Sequence, residues 1–230
     1  MCNRYRMTAK EADLAVTFGI RPPYESDEVY PATDIFPTGK KTPFHGKVIL
    51  REGSDRKVEL MEWGVPIQVP SASDPSVKLT KYVTNVRNLN SSFWRSMLTT
   101  PGRRCLVPAT AFSEFGIVPG EDGKKPLHWF DVPSRPIFAV AGIWRPTERG
   151  NVYGFLTTEP NAIVAPLHPK AMPVILHDED YDRWLTASWD DLRDLVAPYP
   201  SQLMRVEGIA PADAQDARLP VLFWPLNPER

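Results

Sequence analysis

The 25 prolines of this 230-residue chain are spread from Pro22 to Pro228. Each fixes one backbone dihedral and removes one N–H donor, so helices and central strands between them stay short. The spread predicts many short elements ending in rigid turns and counts against a long-helix bundle. Apolar residues make up 42% and charged residues 24% of the chain, values of an ordinary globular protein rather than a disordered or collagen-like one. The length suffices for one domain with a sizeable core. No repeat, low-complexity tract or linker divides residues 1–230, so a single domain is expected.

Thr8 and Glu11 have the spacing of a capping box, with Leu14, Ala15 and Phe18 following on one helical face. A short helix is predicted over about residues 9–18. The stretch 21–46 carries Pro22, Pro23, Pro31, Pro37 and Pro43 and is expected to wrap the surface as loop. Residues 47–51 and 57–61 read as a hairpin, which Trp63-Gly64-Val65-Pro66 ends. Further strands are predicted over 82–86, 104–107, 110–115, 127–132, 136–144 and 152–157. Helices are predicted over 91–98, 179–185 and 189–196, the second entered through Asp178 as N-cap. The sum is an α+β fold with a large antiparallel sheet.

Formal net charge is −1, so bulk electrostatics announce no nucleic-acid partner and any basic groove must be local. No apolar run of about 18 residues or signal-peptide pattern occurs, and a soluble, intracellular protein is expected. Cys2 and Cys105 form at most one pair, no scaffold for this length, and both are read as thiols.

Cys2 joins residue type to position. Loss of Met1 makes it a 1,2-aminothiol, whose amine and thiol have ordinary pKa values of roughly 7.7–8.0 and roughly 8.5. Both are then partly deprotonated near neutral pH, and two nucleophiles share one residue. A cysteine at position 2 is equally compatible with no function, so its company decides. Glu114 lies between Phe112 and Phe115 in a predicted strand. Turned inward, it becomes a general acid or base near pH 7 through desolvation; turned outward, it is an ordinary edge glutamate. Among His45, His128, His168 and His177, only His168 leads into the apolar run 171–176, although a lone histidine is more often structural. No His or Cys spacing points to a metal. Asn85 and Arg87 alternate with Thr84 and Val86, which puts both on one strand face. An amide beside a guanidinium suits an anion or phosphate, unless these are merely polar strand-end residues.

Taken in order, Met1-Cys2-Asn3-Arg4-Tyr5, Trp63-Gly64, Asn85-Val86-Arg87, Arg104-Cys105-Leu106-Val107-Pro108 with Glu114, Ala141-Gly142-Ile143-Trp144, Thr157-Thr158, and His168 leading to Met172-Pro173-Val174-Ile175-Leu176 resemble one family. It is the SOS-response-associated peptidase (SRAP) family, and the resemblance runs from residue 1 to about residue 186.

The resemblance implies a single compact α+β domain around a curved, largely antiparallel sheet with a groove for single-stranded DNA. It implies that Cys2, freed of Met1, reacts with the ring-opened sugar aldehyde of an abasic site. Amine and aldehyde give a Schiff base, and the thiol of the same residue closes on it to a thiazolidine, leaving a covalent DNA–protein crosslink. No cofactor is required. By the same analogy Asn85 orients Cys2, Glu114 moves protons, and His168 assists sugar ring opening or crosslink reversal. Arg4, Arg87 and Lys170 hold phosphates, and Trp63 packs against a base or the sugar. The expected partner is single-stranded DNA containing abasic sites, met by a cytoplasmic monomer that joins the nucleoid on binding and has no membrane association. The family's peptidase name refers to removal of residues ahead of the cysteine; here only Met1 precedes it. The chain departs from the family at Asn3, where glycine is usual, at Glu62, where a basic residue is usual, and at His168-Pro169-Lys170-Ala171-Met172-Pro173, one residue longer than the common motif and with lysine for arginine.

Two other functions fit parts of the pattern. An N-terminal-nucleophile amidohydrolase uses such a cysteine with its own amine as base, but such enzymes usually follow it with glycine and an apolar residue, which Asn3-Arg4-Tyr5 does not match. A single-stranded-DNA binder of the same family without crosslinking activity is the other.

Overall fold

Short strands joined by turns dominate, as the proline spacing requires. The computed structural model describes residues 2–20, 33–37 and 45–207. In chain order, β1 (Tyr5–Met7), α1 (Glu11–Phe18) and β2 (Thr33–Ile35) precede a long hairpin of β3 (His45–Glu52) and β4 (Asp55–Trp63). A second hairpin of β5 (Val65–Pro70) and β6 (Lys78–Val83) leads to β7 (Asn85–Val86) and α2 (Ser92–Thr99). Then come β8 (Arg104–Ala109), β9 (Ala111–Phe115), β10 (Leu127–Asp131), β11 (Phe138–Thr147) and β12 (Gly150–Thr158). β13 (Met172–Pro173), β14 (Ile175–Leu176), α3 (Tyr181–Thr186) and β15 (Arg205–Glu207) complete the described chain.

Five strands close on themselves. β12 pairs with β4, β4 with β3, β3 with β8, β8 with β11, and β11 again with β12. Closure removes free edges from the ring, and only the β12–β4 contact within it is parallel. The expected curved, largely antiparallel sheet is therefore a small barrel with β7, β13 and β14 attached at its rim. Its interior is aromatic: Trp63 stacks on Phe155 at 5.1 Å between ring centroids and meets Tyr5 edge-on at 5.2 Å. The Tyr5 and Tyr153 hydroxyls hydrogen-bond at 2.5 Å. Only glycine fits at Gly46 beside them, since a Cβ there would stand 2.2 Å from each of these hydroxyl oxygens.

The second sheet has the order β15-β10-β9-β1-β2, antiparallel throughout. It joins the barrel through Thr110, where β8 runs into β9 and the Thr110 N–H donates to the Arg6 carbonyl at 2.8 Å. This junction brings the N-terminal strand and β9 against the barrel mouth. Among the described residues, no helix is long and apolar enough to cross a membrane.

The hairpin over 47–61, the strand end at Trp63 and the helices near residues 11–18 and 92–99 follow the sequence expectation. Gly64, at φ 134°, makes the break after β4 with a conformation that side chains rarely adopt. The capping box is absent: Thr8 Oγ1 donates to Thr110 Oγ1 at 3.3 Å, Glu11 pairs with Lys47 at 3.1 Å, and Lys10 occupies the N-cap without a side-chain bond. Asp178 is likewise no cap but a partner of Arg135. Within the stretch expected to be all loop, Thr33–Ile35 is a strand pairing with β1; residues 21–32 and 38–44 lie outside the described residues. The expected fourth helix, over 189–196, is a 3-10 turn, Asp190–Leu195. Both cysteines are free thiols, as expected, and both are buried.

Candidate active site

Cys2 enters the mouth just ahead of β1. That strand runs antiparallel to β9, with Tyr5 opposite Phe112 and the Ser113 N–H donating to the Arg4 carbonyl at 3.0 Å. The register carries Cys2 alongside the end of β9, where it is fully buried. Its thiol lies 3.5 Å from the Arg4 carbonyl and 3.8 Å from the Ser113 carbonyl, both of which it reaches as donor. Burial pushes the thiol well above its ordinary pKa, and the nearby Glu114 adds to the shift. This corrects the expectation from free cysteine: in the fold the thiol is held protonated at neutral pH.

Asn85 reaches the same residue from the barrel rim. β7 pairs parallel to β12, with Asn85 opposite Phe155, which turns the amide inward beneath the N-terminus. Asn85 Nδ2 donates to the Cys2 carbonyl at 2.9 Å and to Thr84 Oγ1 at 2.8 Å. Its Oδ1 is buried with no hydrogen-bond partner among the described residues. Arg87, expected beside it on one face, lies exposed past the end of β7 and pairs with Glu159 at 3.6 Å.

Glu114 is the inward-turned carboxylate of the two alternatives. It is 4% exposed on β9, and burial raises its pKa to about 7. His168 arrives from the segment before β13, and its Nε2 lies 3.5 Å from Glu114 Oε2. Its Nδ1 meets the Phe115 carbonyl at 3.2 Å. That contact needs a proton on Nδ1, which leaves Nε2 of the neutral ring as the acceptor facing Glu114. Burial holds His168 below its ordinary pKa, helped by the ammonium groups of Lys170 and Lys125 and opposed by the Phe115 carbonyl. Both shifts run against a simple ion pair: near pH 7 the imidazole is neutral and the carboxyl is divided between its two forms. Such a pair gives and takes protons at little cost.

The structure thus brings Cys2, Asn85, Glu114 and His168 together. The residues expected to hold DNA are placed less uniformly. Arg4 is half-buried, 3.6 Å from Asp34 and with its guanidinium 4.2 Å from the centre of the Phe36 ring. Lys170 is exposed near His168. Trp63 departs from expectation. It is fully buried in the barrel, its indole N–H donating to the Thr84 carbonyl at 3.4 Å, and it presents no face to a base or sugar.

Sequence reasoning missed Asp34, Trp129 and Ser113. Arg6 lies over the Trp129 ring at 3.9 Å and pairs with Asp34 at 3.0 Å, so Asp34 gathers both arginines of the N-terminal strand. The alternation Arg4, Tyr5, Arg6 was the available signal, since it sets both arginines on one face. Among the described residues no group of three or more His, Cys, Asp or Glu side chains is arranged to hold a metal.

A family model described as SOS response associated peptidase (SRAP) matches residues 1–212. The fold is similar to a crystal structure of a Bacteroides thetaiotaomicron protein, with a TM-score of 0.69 at 22% identity over 89% of this chain and 90% of that one. A Bordetella bronchiseptica protein gives 0.67 at 23% identity over 89% and 98%. A phage-related protein of Bordetella bronchiseptica gives 0.64 at 16% identity over 89% and 92%. No curated protein matches the sequence.

Proposed function

Because the chain belongs to the SOS response associated peptidase (SRAP) family, we propose that it captures abasic sites in single-stranded DNA, linking Cys2 covalently to the ring-opened sugar once Met1 is removed. The observation that carries this reading is the two-sided grip on the N-terminus: Asn85 holds the Cys2 carbonyl from the barrel at 2.9 Å, while Glu114 on the second sheet stands beside it, paired with His168 from the segment before β13.

The protonation states order the steps. The thiol is held protonated, so the α-amine of processed Cys2 makes the first attack on the aldehyde carbon. Asn85 Oδ1, without a hydrogen-bond partner among the described residues, is a ready acceptor for an N–H of that amine and would aim its lone pair. Glu114 in its acid form donates to the departing hydroxyl as the carbinolamine loses water to the imine. The thiol S–H then adds across the C=N bond: sulfur bonds to carbon and the proton passes to nitrogen, closing a five-membered ring with a net loss of one water. Both nucleophiles sit on one residue, so ring closure needs no further encounter. His168, neutral and in contact with Glu114, takes the C1 hydroxyl proton as the bond from C1 to the ring oxygen of the closed sugar breaks, and that oxygen receives a proton in return, so that opening is neutral overall.

Phosphates fall to Arg4, Arg87 and Lys170 in this reading, with the exposed Glu159 released from Arg87 as a strand binds. Trp63 instead backs the site from within the barrel.

The test is incubation of fully processed protein with a single-stranded oligonucleotide carrying one abasic site, followed by denaturing electrophoresis. An adduct that survives denaturation is expected. Its absence overturns the reading in favour of non-covalent DNA binding or amide hydrolysis.

A further inference from the structure

One more imidazole stands on the face that carries Glu114. β9 and β10 are antiparallel with His128 directly opposite Glu114, and directly opposed residues carry their side chains on the same face with Cβ atoms about 5 Å apart. The hairpin end gives the same direction independently. Gly116 lies two residues past Glu114, and a Cβ built on it would stand 2.9 Å from His128 Nε2. The ring therefore leans along β9 over Gly116, into space that the missing side chain leaves open.

His128 is half-buried, and among the described residues no hydrogen bond or ion pair engages its ring. Packing alone does not account for a histidine here, because an apolar side chain would fill the same space without desolvating two ring nitrogens. Two exposed cations on this side of the site suit an anion. Lys125 precedes the strand on the same hairpin, Lys170 follows His168, and both are exposed and close enough to depress His168. The Glu114 carboxyl below them is buried.

We infer that His128 is a further binding residue of the proposed DNA-capturing site, donating a ring N–H to a phosphodiester oxygen beside the reacting nucleotide, with Gly116 as the gap that admits its ring. The inference rests on the abasic-site reading above and adds to it a residue and a ligand group.

The test uses processed full-length protein in two assays: adduct formation with the abasic oligonucleotide, and fluorescence anisotropy with a tetrahydrofuran abasic analogue, which has no aldehyde. His128→Phe keeps the ring volume and loses the donor; it is expected to bind the analogue about five- to tenfold more weakly. Gly116→Ala crowds the ring and is expected to weaken binding similarly, and the double variant no more than either alone, because both changes remove one contact. Wild-type protein that forms the adduct while His128→Phe binds the analogue unchanged overturns this inference alone and leaves the ring a space filler. Wild-type protein that forms no adduct overturns the abasic-site reading, and the inference with it.

Discussion

His168 Nε2 lies 3.5 Å from Glu114 Oε2, joining a strand of the second sheet to the segment that leads back into the barrel. A carboxyl lifted to about 7 faces an imidazole held below its ordinary value. Under the proposed function this pair is the proton relay. Glu114→Gln is expected to slow adduct formation by about 100-fold or more, read from the time course under single-turnover conditions. A variant as fast as wild type removes Glu114 from the chemistry.

The same carboxyl has a consequence for stability. Its pKa is raised from 4.5 to about 7 on folding, so across that window the folded protein holds a proton that the unfolded chain has released. Stability from this group falls as pH rises through the window and stays at the lower level above it. Glu114→Gln removes the cost of burying the charge. At pH 8 the variant should be more stable than wild type by on the order of 2–3 kcal/mol, with the titration-dependent difference gone below about pH 4. Urea unfolding at both pH values checks the sign; a variant less stable at pH 8 than at pH 4, relative to wild type, contradicts it.

Asn85→Ala leaves the buried Cys2 carbonyl without its amide donor. The expected outcome is a loss of about 1–3 kcal/mol in stability and a larger loss in adduct rate, since the amine is no longer aimed. Thermal unfolding and adduct kinetics together separate the effects. A rate that falls only in proportion to the folded fraction would make Asn85 purely structural.

Much of this architecture was legible because local chemistry agreed with it. The β3–β4 hairpin is written in two β-rich runs around Gly53, whereas the sequence left the direction of Glu114 open and the fold turns it inward beside buried Phe112 while Phe115 faces out. What was hidden depends on contacts far apart in sequence. Barrel closure rests on the β12–β4 pairing, with Tyr153 opposite Trp63, and nothing near either residue announces it. Prolines also misled locally: Pro108 lies inside β8 opposite Ala139, beyond the point at Leu106 where β8 pairs with β3, so its missing N–H did not end the strand. Thr8 looked like a cap because the competing hydroxyl of Thr110 is a hundred residues away in sequence. Trp63 looked like a DNA contact because a motif shows which residues recur and not which way they face.

Trp63→Ala tests that last correction. A fully buried indole stacked on Phe155 and Tyr153 should cost about 3–5 kcal/mol on truncation, measured by urea unfolding. A variant of near wild-type stability that fails to bind single-stranded DNA would return Trp63 to the DNA surface.

The most direct test of the central claim is the intact mass of the adduct, taken without added reductant on protein first shown to lack Met1. The account predicts a species equal to processed protein plus abasic oligonucleotide less one water, formed by wild type and lost in Cys2→Ala. A stable adduct on Cys2→Ala, with the mass of that variant plus abasic oligonucleotide less one water, would contradict it, because the thiol that closes the ring would then have no part in the link.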